Sequence, residues 1–322
     1  MAFLKFNKSE LVNLSYSLKR ELISANKTGA YSSTTIVGCN TRRYHGLLAV
    51  TLDRFGGDRY MMLSSLDESL IVGGKQFNLG IHRYRAIIEP RGHKYVIDFT
   101  ADPVPTITYK VGQIVFRKSM LLAPDKDQFM VKYELLESPA PATVVLRPFL
   151  AFRNVHALTH QNPQANPTPT VIPGGVSFCL YDSFPAVNLQ LSDLKAEWRQ
   201  APLWYENITY SDEYRRGFEC KEDLNTPGTF VFKLSKGASV VFSASMQEMK
   251  PSMLKREFNR YQAMMSDVSN NRDQLVRCAD SLITAHNGRK KISAGLSWMY
   301  TGLLRETLMA LPGLALYGLE SA

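Results

Sequence analysis

The sequence predicts a mainly β protein, a large antiparallel β-sandwich followed by α-helices. Three observations point there. Between about residues 35 and 246, segments rich in β-branched and aromatic residues follow one another, punctuated by Gly, Pro and Asn, with no helical pattern between them. Such a series favours two packed antiparallel sheets over alternating strands and helices. After Pro251 the apolar spacing lengthens to three and four residues, the period of a helix. Finally, 322 residues with 45% hydrophobic and 11% aromatic content can bury a substantial core, as one large domain or two ordinary ones.

Taken in order, Met1-Ala2-Phe3-Leu4-Lys5-Phe6-Asn7-Lys8 lacks the continuous apolar core of a signal peptide. A glycine-bearing turn, Lys27-Thr28-Gly29-Ala30-Tyr31, precedes the block Asn40-Thr41-Arg42-Arg43-Tyr44-His45-Gly46, which runs into an apolar strand over 47–52. Ile107-Thr108-Tyr109 and Ile114-Val115-Phe116 flank Val111-Gly112, the pattern of a hairpin. Strands over 128–136 and 143–150 are separated by Glu137-Ser138-Pro139-Ala140-Pro141, and 161–175 carries four prolines and reads as a surface loop. Phe230-Val231-Phe232-Lys233-Leu234 and Ser239-Val240-Val241-Phe242-Ser243 surround Ser235-Lys236-Gly237.

Leu254, Phe258, Tyr261, Met265 and Val268 predict one helix; Leu275, Ala279, Leu282 and Ile283 predict a second, ended by Asn287-Gly288. A third helical stretch begins near Trp298. Its part over 303–316 is apolar on nearly every side, as in a helix packed inside a larger helical domain, so the chain is expected to be a piece of a longer protein.

The net charge of +9 is dispersed. Its densest clusters are Lys255-Arg256, Arg215-Arg216 and Arg289-Lys290-Lys291, each beside acids or apolar residues, and no nucleic-acid-binding module accompanies them. A solvated basic face is expected, with no nucleic-acid partner. The four cysteines stand far apart without metal-ligand spacing, and are expected to be reduced, mostly buried thiols of a cytoplasmic protein. The apolar 303–317 stretch is too short and too interrupted to span a membrane. No phosphate loop, dinucleotide fingerprint, zinc signature or nucleophile elbow occurs, so no cofactor or metal is expected.

Arg42, Arg43, Tyr44 and His45 form the densest block of hydrogen-bonding side chains. Guanidinium forks suit carboxylates, phosphates or sugar hydroxyls, and a tyrosine adds a flat face with a polar tip. The same groups would equally satisfy buried carboxylates and carbonyls at a strand entrance. Trp204-Tyr205, followed by Glu206-Asn207, fits either a sugar platform or core packing. Asp67-Glu68 and Glu222-Asp223 are either ion-pair partners or the acids of an independent site.

Several blocks together resemble the N-terminal domain of bacterial and archaeal glycogen-debranching enzymes. The first runs from Tyr31 through Thr41-Arg42-Arg43-Tyr44-His45-Gly46-Leu47-Leu48. The second is Phe152-Arg153-Asn154-Val155-His156-Ala157-Leu158, with Asn154 in place of the family's Asp. The third spans Trp204-Tyr205-Glu206-Asn207-Ile208, Tyr210, Glu213, Arg216-Gly217, Glu222-Asp223-Leu224 and Pro227-Gly228-Thr229-Phe230. A fourth, from Ile292 through Trp298 to Leu304-Arg305-Glu306-Thr307, looks like the opening of the family's (α/α)6 glucosidase domain, with Glu306 where relatives carry Asp.

The resemblance implies a β-supersandwich over 1–250, a helical linker over 251–290 and a truncated barrel start over 291–322. It implies an amylo-α-1,6-glucosidase parent that removes α-1,6-linked glucose from glycogen or a related α-glucan. The candidate substrate-binding residues are Arg305, Glu306, Trp298, Arg42, Arg43, Tyr44, His45, Arg153, His156, Trp204 and Tyr205. None is catalytic, because glycoside hydrolysis uses two carboxyl groups across the scissile bond and the family's pair is expected beyond this chain. The alternatives are a non-catalytic α-glucan-binding module or a sandwich with its own 4-α-glucanotransferase activity.

Overall fold

The computed structural model of the chain describes residues 4–265, 270–286 and 289–316. Two antiparallel sheets pack face to face over a shared core. The nine-stranded sheet runs Lys5–Asn7, Val96–Thr100, Thr106–Val111, Ile114–Leu122, Gln128–Glu137, Ser239–Ser245, Val187–Leu191, Gly175–Phe178, Thr170–Ile172. The ten-stranded sheet runs Glu21–Ala25, Tyr31–Thr35, Gly46–Leu52, Asp58–Val72, Ala142–Asn154, Lys221–Leu234, Glu197–Thr209, Ile81–Tyr84, Ile87–Arg91, with Lys75–Asn78 pairing beside Asp58–Val72. The mainly β sandwich read from the sequence is the architecture observed, and Val111-Gly112 does close a hairpin, with Gly112 at φ +59°.

Alternation fills the space between the sheets. Leu146, Leu150, Phe230, Phe232, Val131, Tyr133 and Phe242 all face one cluster of buried residues. Their intervening neighbours on the large sheet, including Phe149, Ala151 and Leu224, face outward and join a second apolar cluster with Tyr31, Met61, Ile208, Tyr210 and Tyr300. The large sheet is therefore apolar on both faces, and its outer face underlies the candidate site. Gly46 packs closely at that face: a Cβ there would lie 1.9 Å from the sulfur of Met61 and would displace that side chain.

One ion pair crosses the interior. Lys118 of the smaller sheet places Nζ 3.1 Å from both carboxylate oxygens of Glu68 on the larger one, and the Tyr133 hydroxyl donates to Glu68 at 2.8 Å. Burial works against the ammonium, but Glu68 outweighs it and raises the Lys118 pKa.

The C-terminal third departs from the expected run of helices. Pro251–Met264 is a helix that buries Leu254, Phe258 and Tyr261 against the smaller sheet, as their spacing predicts. Asn271–Ser281 is the second, and it stops earlier than predicted. Leu282 caps it, and Ile283–His286 pairs antiparallel with Arg289–Ile292. The backbone N–H of Ala285 donates to the Lys27 carbonyl at 2.9 Å, which docks this hairpin on the 26–30 turn. The third helix is Leu304–Leu316 and begins six residues after Trp298. Within it Leu314 is buried, whereas Leu304, Leu308, Met309 and Leu316 are exposed. Val268, Asn287-Gly288 and the chain beyond residue 316 lie outside the described residues.

All four cysteines are free thiols, but only Cys39 is buried. Cys179 and Cys220 are half-buried and Cys278 is exposed, which corrects the expectation of mostly buried thiols. Burial pushes the Cys39 thiol up to about 12, an inert group at neutral pH. Among the described residues, no helix is long and apolar enough to cross a membrane, and no group of three His, Cys, Asp or Glu side chains is placed to hold a metal.

Candidate functional site

The loop between Tyr31–Thr35 and Gly46–Leu52 carries the dense block of donors, and its fold is fixed from within. His45 is buried, and its Nδ1 accepts from the Thr41 backbone N–H at 3.1 Å, which leaves Nε2 as the proton-bearing nitrogen. That nitrogen lies 3.3 Å from Glu21 Oε2, a close polar contact rather than a well-aimed hydrogen bond. Arg42 Nε donates to Glu21 Oε1 at 2.8 Å, and its Nη2 is 3.4 Å from Asp212 Oδ2. Burial raises the Glu21 pKa, yet His45 and Arg42 outweigh it and hold the carboxyl at about 2.

Arg43 works mainly as a strut. Its Nη1 and Nη2 each donate to a backbone carbonyl at 2.8 Å, those of His156 and Glu219, and Nε lies 3.4 Å from the buried Glu213. Arg153 is buried beneath it. Its Nη2 donates to the Arg43 carbonyl at 2.7 Å, and its guanidinium grips the carboxylate of Glu222, which also accepts from the Tyr210 hydroxyl. A bulge, with Phe152 at φ +48°, sets Arg153 across from Met61 on the sheet's outer face.

Above this base lies an aromatic group. The Tyr44 hydroxyl is 3.2 Å from His156 Nδ1, and the Tyr44 ring meets His156 edge-on at 5.5 Å. Trp298 stands 5.5 Å from Tyr44, with the guanidinium of Arg42 at 5.7 Å and that of Arg216 at 6.0 Å from its ring. Tyr300 stacks on His156 at 5.8 Å, and Arg216 sits 4.9 Å from the exposed ring of Phe218. Tyr44 is half-buried, and burial together with nearby Glu213 raises its hydroxyl pKa, so it stays a neutral donor. Trp298 is 44% exposed and His156 is also open to solvent, so the group presents ring faces beside charged donors. Apolar ring faces flanked by hydrogen-bonding groups suit the C–H faces and hydroxyl rims of a sugar.

Residues 20–241 match the family model described as glycogen debranching enzyme N terminal. The chain belongs to this family. The search of curated proteins gives no match. Among solved structures, a bacterial glucoamylase complexed with acarbose aligns at 8% identity and a TM-score of 0.40, over 88% of this chain and 40% of that one. A polysaccharide lyase aligns at 12% identity and a TM-score of 0.26, over 76% and 34% of the two chains. The chain thus spans well under half the length of either neighbour.

Of the residues singled out from the sequence, Arg42, Arg43, Tyr44, His45, Arg153, His156 and Trp298 come together at one end of the large sheet. The others do not. Tyr205 packs edge-on against Phe149 at 4.9 Å with Arg147 5.7 Å from its ring, in its own part of the outer face. Trp204 is half-buried and pairs through its backbone with Asn225. Arg305 and Glu306 bond to one another at 2.6 Å on the terminal helix, with the Arg305 side chain 83% exposed.

The four acids weighed for a separate chemistry are all engaged. Glu68 and Glu222 sit in the ion pairs above. Both Asp67 oxygens lie within 3.0 Å of His82 Nε2, and Asp223 accepts from the backbone N–H groups of Asn207 and Gln161. Sequence reasoning missed Glu21, Asp212, Phe218 and Tyr300 as members of the site. Tyr300 carried a signal, two residues after Trp298 in the same family-like block, and Asp212 and Phe218 adjoin named residues of the third block.

Proposed function

We propose that this chain is the N-terminal portion of a glycogen-debranching enzyme of the amylo-α-1,6-glucosidase type, working in cytoplasmic glycogen catabolism on α-1,6 branches of glycogen or a related α-glucan. Family membership over residues 20–241 carries the reading. In it the sandwich over 1–250 buttresses a helical glucosidase domain, 251–290 links the two, and 291–322 opens that second domain. The half-buried Tyr44 ring and the exposed His156 and Trp298 rings, flanked by Arg42 and Arg216, present one wall of the glucan cleft.

The hydrolytic carboxylates belong outside these residues in this reading. An inverting pair needs roughly 6.5–9.5 Å between carboxyl groups with water between them. Glu68 and Glu222 are buried in ion pairs instead, so the reading of the sandwich as a glucanotransferase draws no support from them. Glucose release from branched dextrin tests the proposal, comparing the 322-residue chain with one extended to the end of its reading frame. Release by the extended chain alone is expected. Release by neither, with glycogen retention by both, would replace the enzyme reading with a binding module.

A further inference from the structure

A second site lies beneath the aromatic group. Arg59, on the strand Asp58–Val72, is 2% exposed, yet it makes no salt bridge to a carboxylate among the described residues. One Nη donates to the Leu296 carbonyl, and the guanidinium lies 4.8 Å from the Tyr300 ring and 5.4 Å from that of Tyr31. Ring faces offset only part of a buried positive charge. Burial accordingly pulls the Arg59 pKa down to about 10.

Arg59 lines a cavity of about 10 Å³ shared with Thr28, Gly29, Thr51, Thr284, Lys291 and Tyr300. Its walls thus carry two cationic side chains, three threonines and no carboxylate. Outside the walls, Asp58 accepts from the Tyr300 hydroxyl at 3.2 Å and Asp127 accepts from the Thr28 hydroxyl. Gly29 keeps the space open. It stands at φ +88°, and a Cβ there would sit 2.8 Å from Thr51 Oγ1. The space is small, which favours a monatomic ion over a tetrahedral oxyanion.

We propose that this cavity binds a single monatomic anion, chloride in the cell, held by Arg59 and Lys291 and by the hydroxyls of Thr51 and Thr284. The anion supplies the missing countercharge for Arg59. It also joins two parts of the molecule, because Thr28, Thr51 and Arg59 belong to the sandwich while Thr284, Lys291 and Tyr300 belong to the C-terminal segment. Chloride binding therefore secures the segment that carries Trp298.

The test compares chloride with gluconate at equal ionic strength, using the 322-residue chain. A saturable rise of about 3–6 °C in unfolding temperature is expected at a hundredfold excess over the dissociation constant. Bromide should substitute, giving an anomalous scattering peak among Arg59, Lys291 and Thr284, whereas phosphate should act like gluconate. Thr284→Val and Lys291→Met, which leave Arg59 in place, should each weaken the chloride response about tenfold. Equal stability in chloride and gluconate would overturn the proposal, as would an unchanged response in both variants or a response to phosphate but not to halide.

Discussion

Arg153 and Glu222 form a buried two-point ion pair that ties together the three family-like blocks of the sandwich. The Arg153 side chain is 4% exposed and the Glu222 side chain 0%. Through Arg153 the pair holds the Arg43 carbonyl, and through Glu222 it accepts from the Tyr210 hydroxyl and from the Thr159 N–H at 3.1 Å. The donor block, the His156 turn and the strand Lys221–Leu234 are thus fixed by one contact. The surface rings rest on that base.

Breaking this pair from one side should be costly. Arg153→Met leaves Glu222 buried without its countercharge, and a loss of about 3–5 kcal/mol is expected in urea unfolding. The double variant Arg153→Met/Glu222→Leu should recover part of that loss, although Tyr210 and Thr159 then lack their acceptor. Equal stability of the single variant and the parent would show that the pair contributes nothing.

The Glu68–Lys118 pair invites a parallel test with a different expectation. Lys118→Met strands Glu68 in the core, and a loss of similar size, about 3–5 kcal/mol, should follow. Here the double variant Lys118→Met/Glu68→Leu should approach the parent, because fewer groups depend on the carboxylate and an apolar interior replaces it. The Tyr133 hydroxyl is the group left over. A double variant as unstable as the single would point to Tyr133 as the controlling partner.

The contrast between these pairs shows what was legible in the sequence. Strands announced themselves, because β-branched and aromatic residues dominate 128–136 and 230–234 between turn-forming residues. Sheet membership did not. Gln128–Glu137 and Ala142–Asn154 lie in opposite sheets, as do Lys221–Leu234 and Ser239–Ser245, although both connections look like hairpin turns. A period of two fixes which face is buried but names no partner. The C-terminal hairpin was hidden because Ile283 continues the helical spacing of Leu275, Ala279 and Leu282, although its backbone pairs as a strand with Ile292. The donor block stood out by composition, whereas its acids, Glu21 and Asp212, lie far from it in sequence and were supplied by the fold.

Glu21 gives a pH signature. Its folded-state pKa, about 2, lies below the ordinary carboxylate value of 4.5, so its contribution to stability is complete above pH 4.5. That contribution falls as pH drops from there through about 2. The unfolding temperature of the parent should therefore decline more steeply over this window than that of Glu21→Gln. Above it the two curves should run parallel, offset by the lost contacts to Arg42 and His45. Curves of equal slope throughout would remove Glu21 as a source of the acid sensitivity.

Under the proposed function, α-glucan binding should separate the residues that converge from those that do not. Trp298→Ala removes an exposed ring that touches Tyr44 and lies near two guanidinium groups, and an aromatic contact of this kind contributes about 0.5–1.5 kcal/mol. Mobility in glycogen-containing native gels should then report a loss of roughly two- to tenfold in affinity. Tyr44→Phe keeps the ring and removes the hydroxyl facing His156, so a smaller loss is expected. Tyr205→Phe keeps the packing on Phe149 and should leave retention unchanged, because Tyr205 stands apart from the group. Glu306→Gln should also bind like the parent in this chain, since among the described residues the Glu306 side chain is bonded to Arg305 on the same helix. A loss with Glu306→Gln equal to that with Trp298→Ala would move the glucan surface to the terminal helix and away from the sandwich.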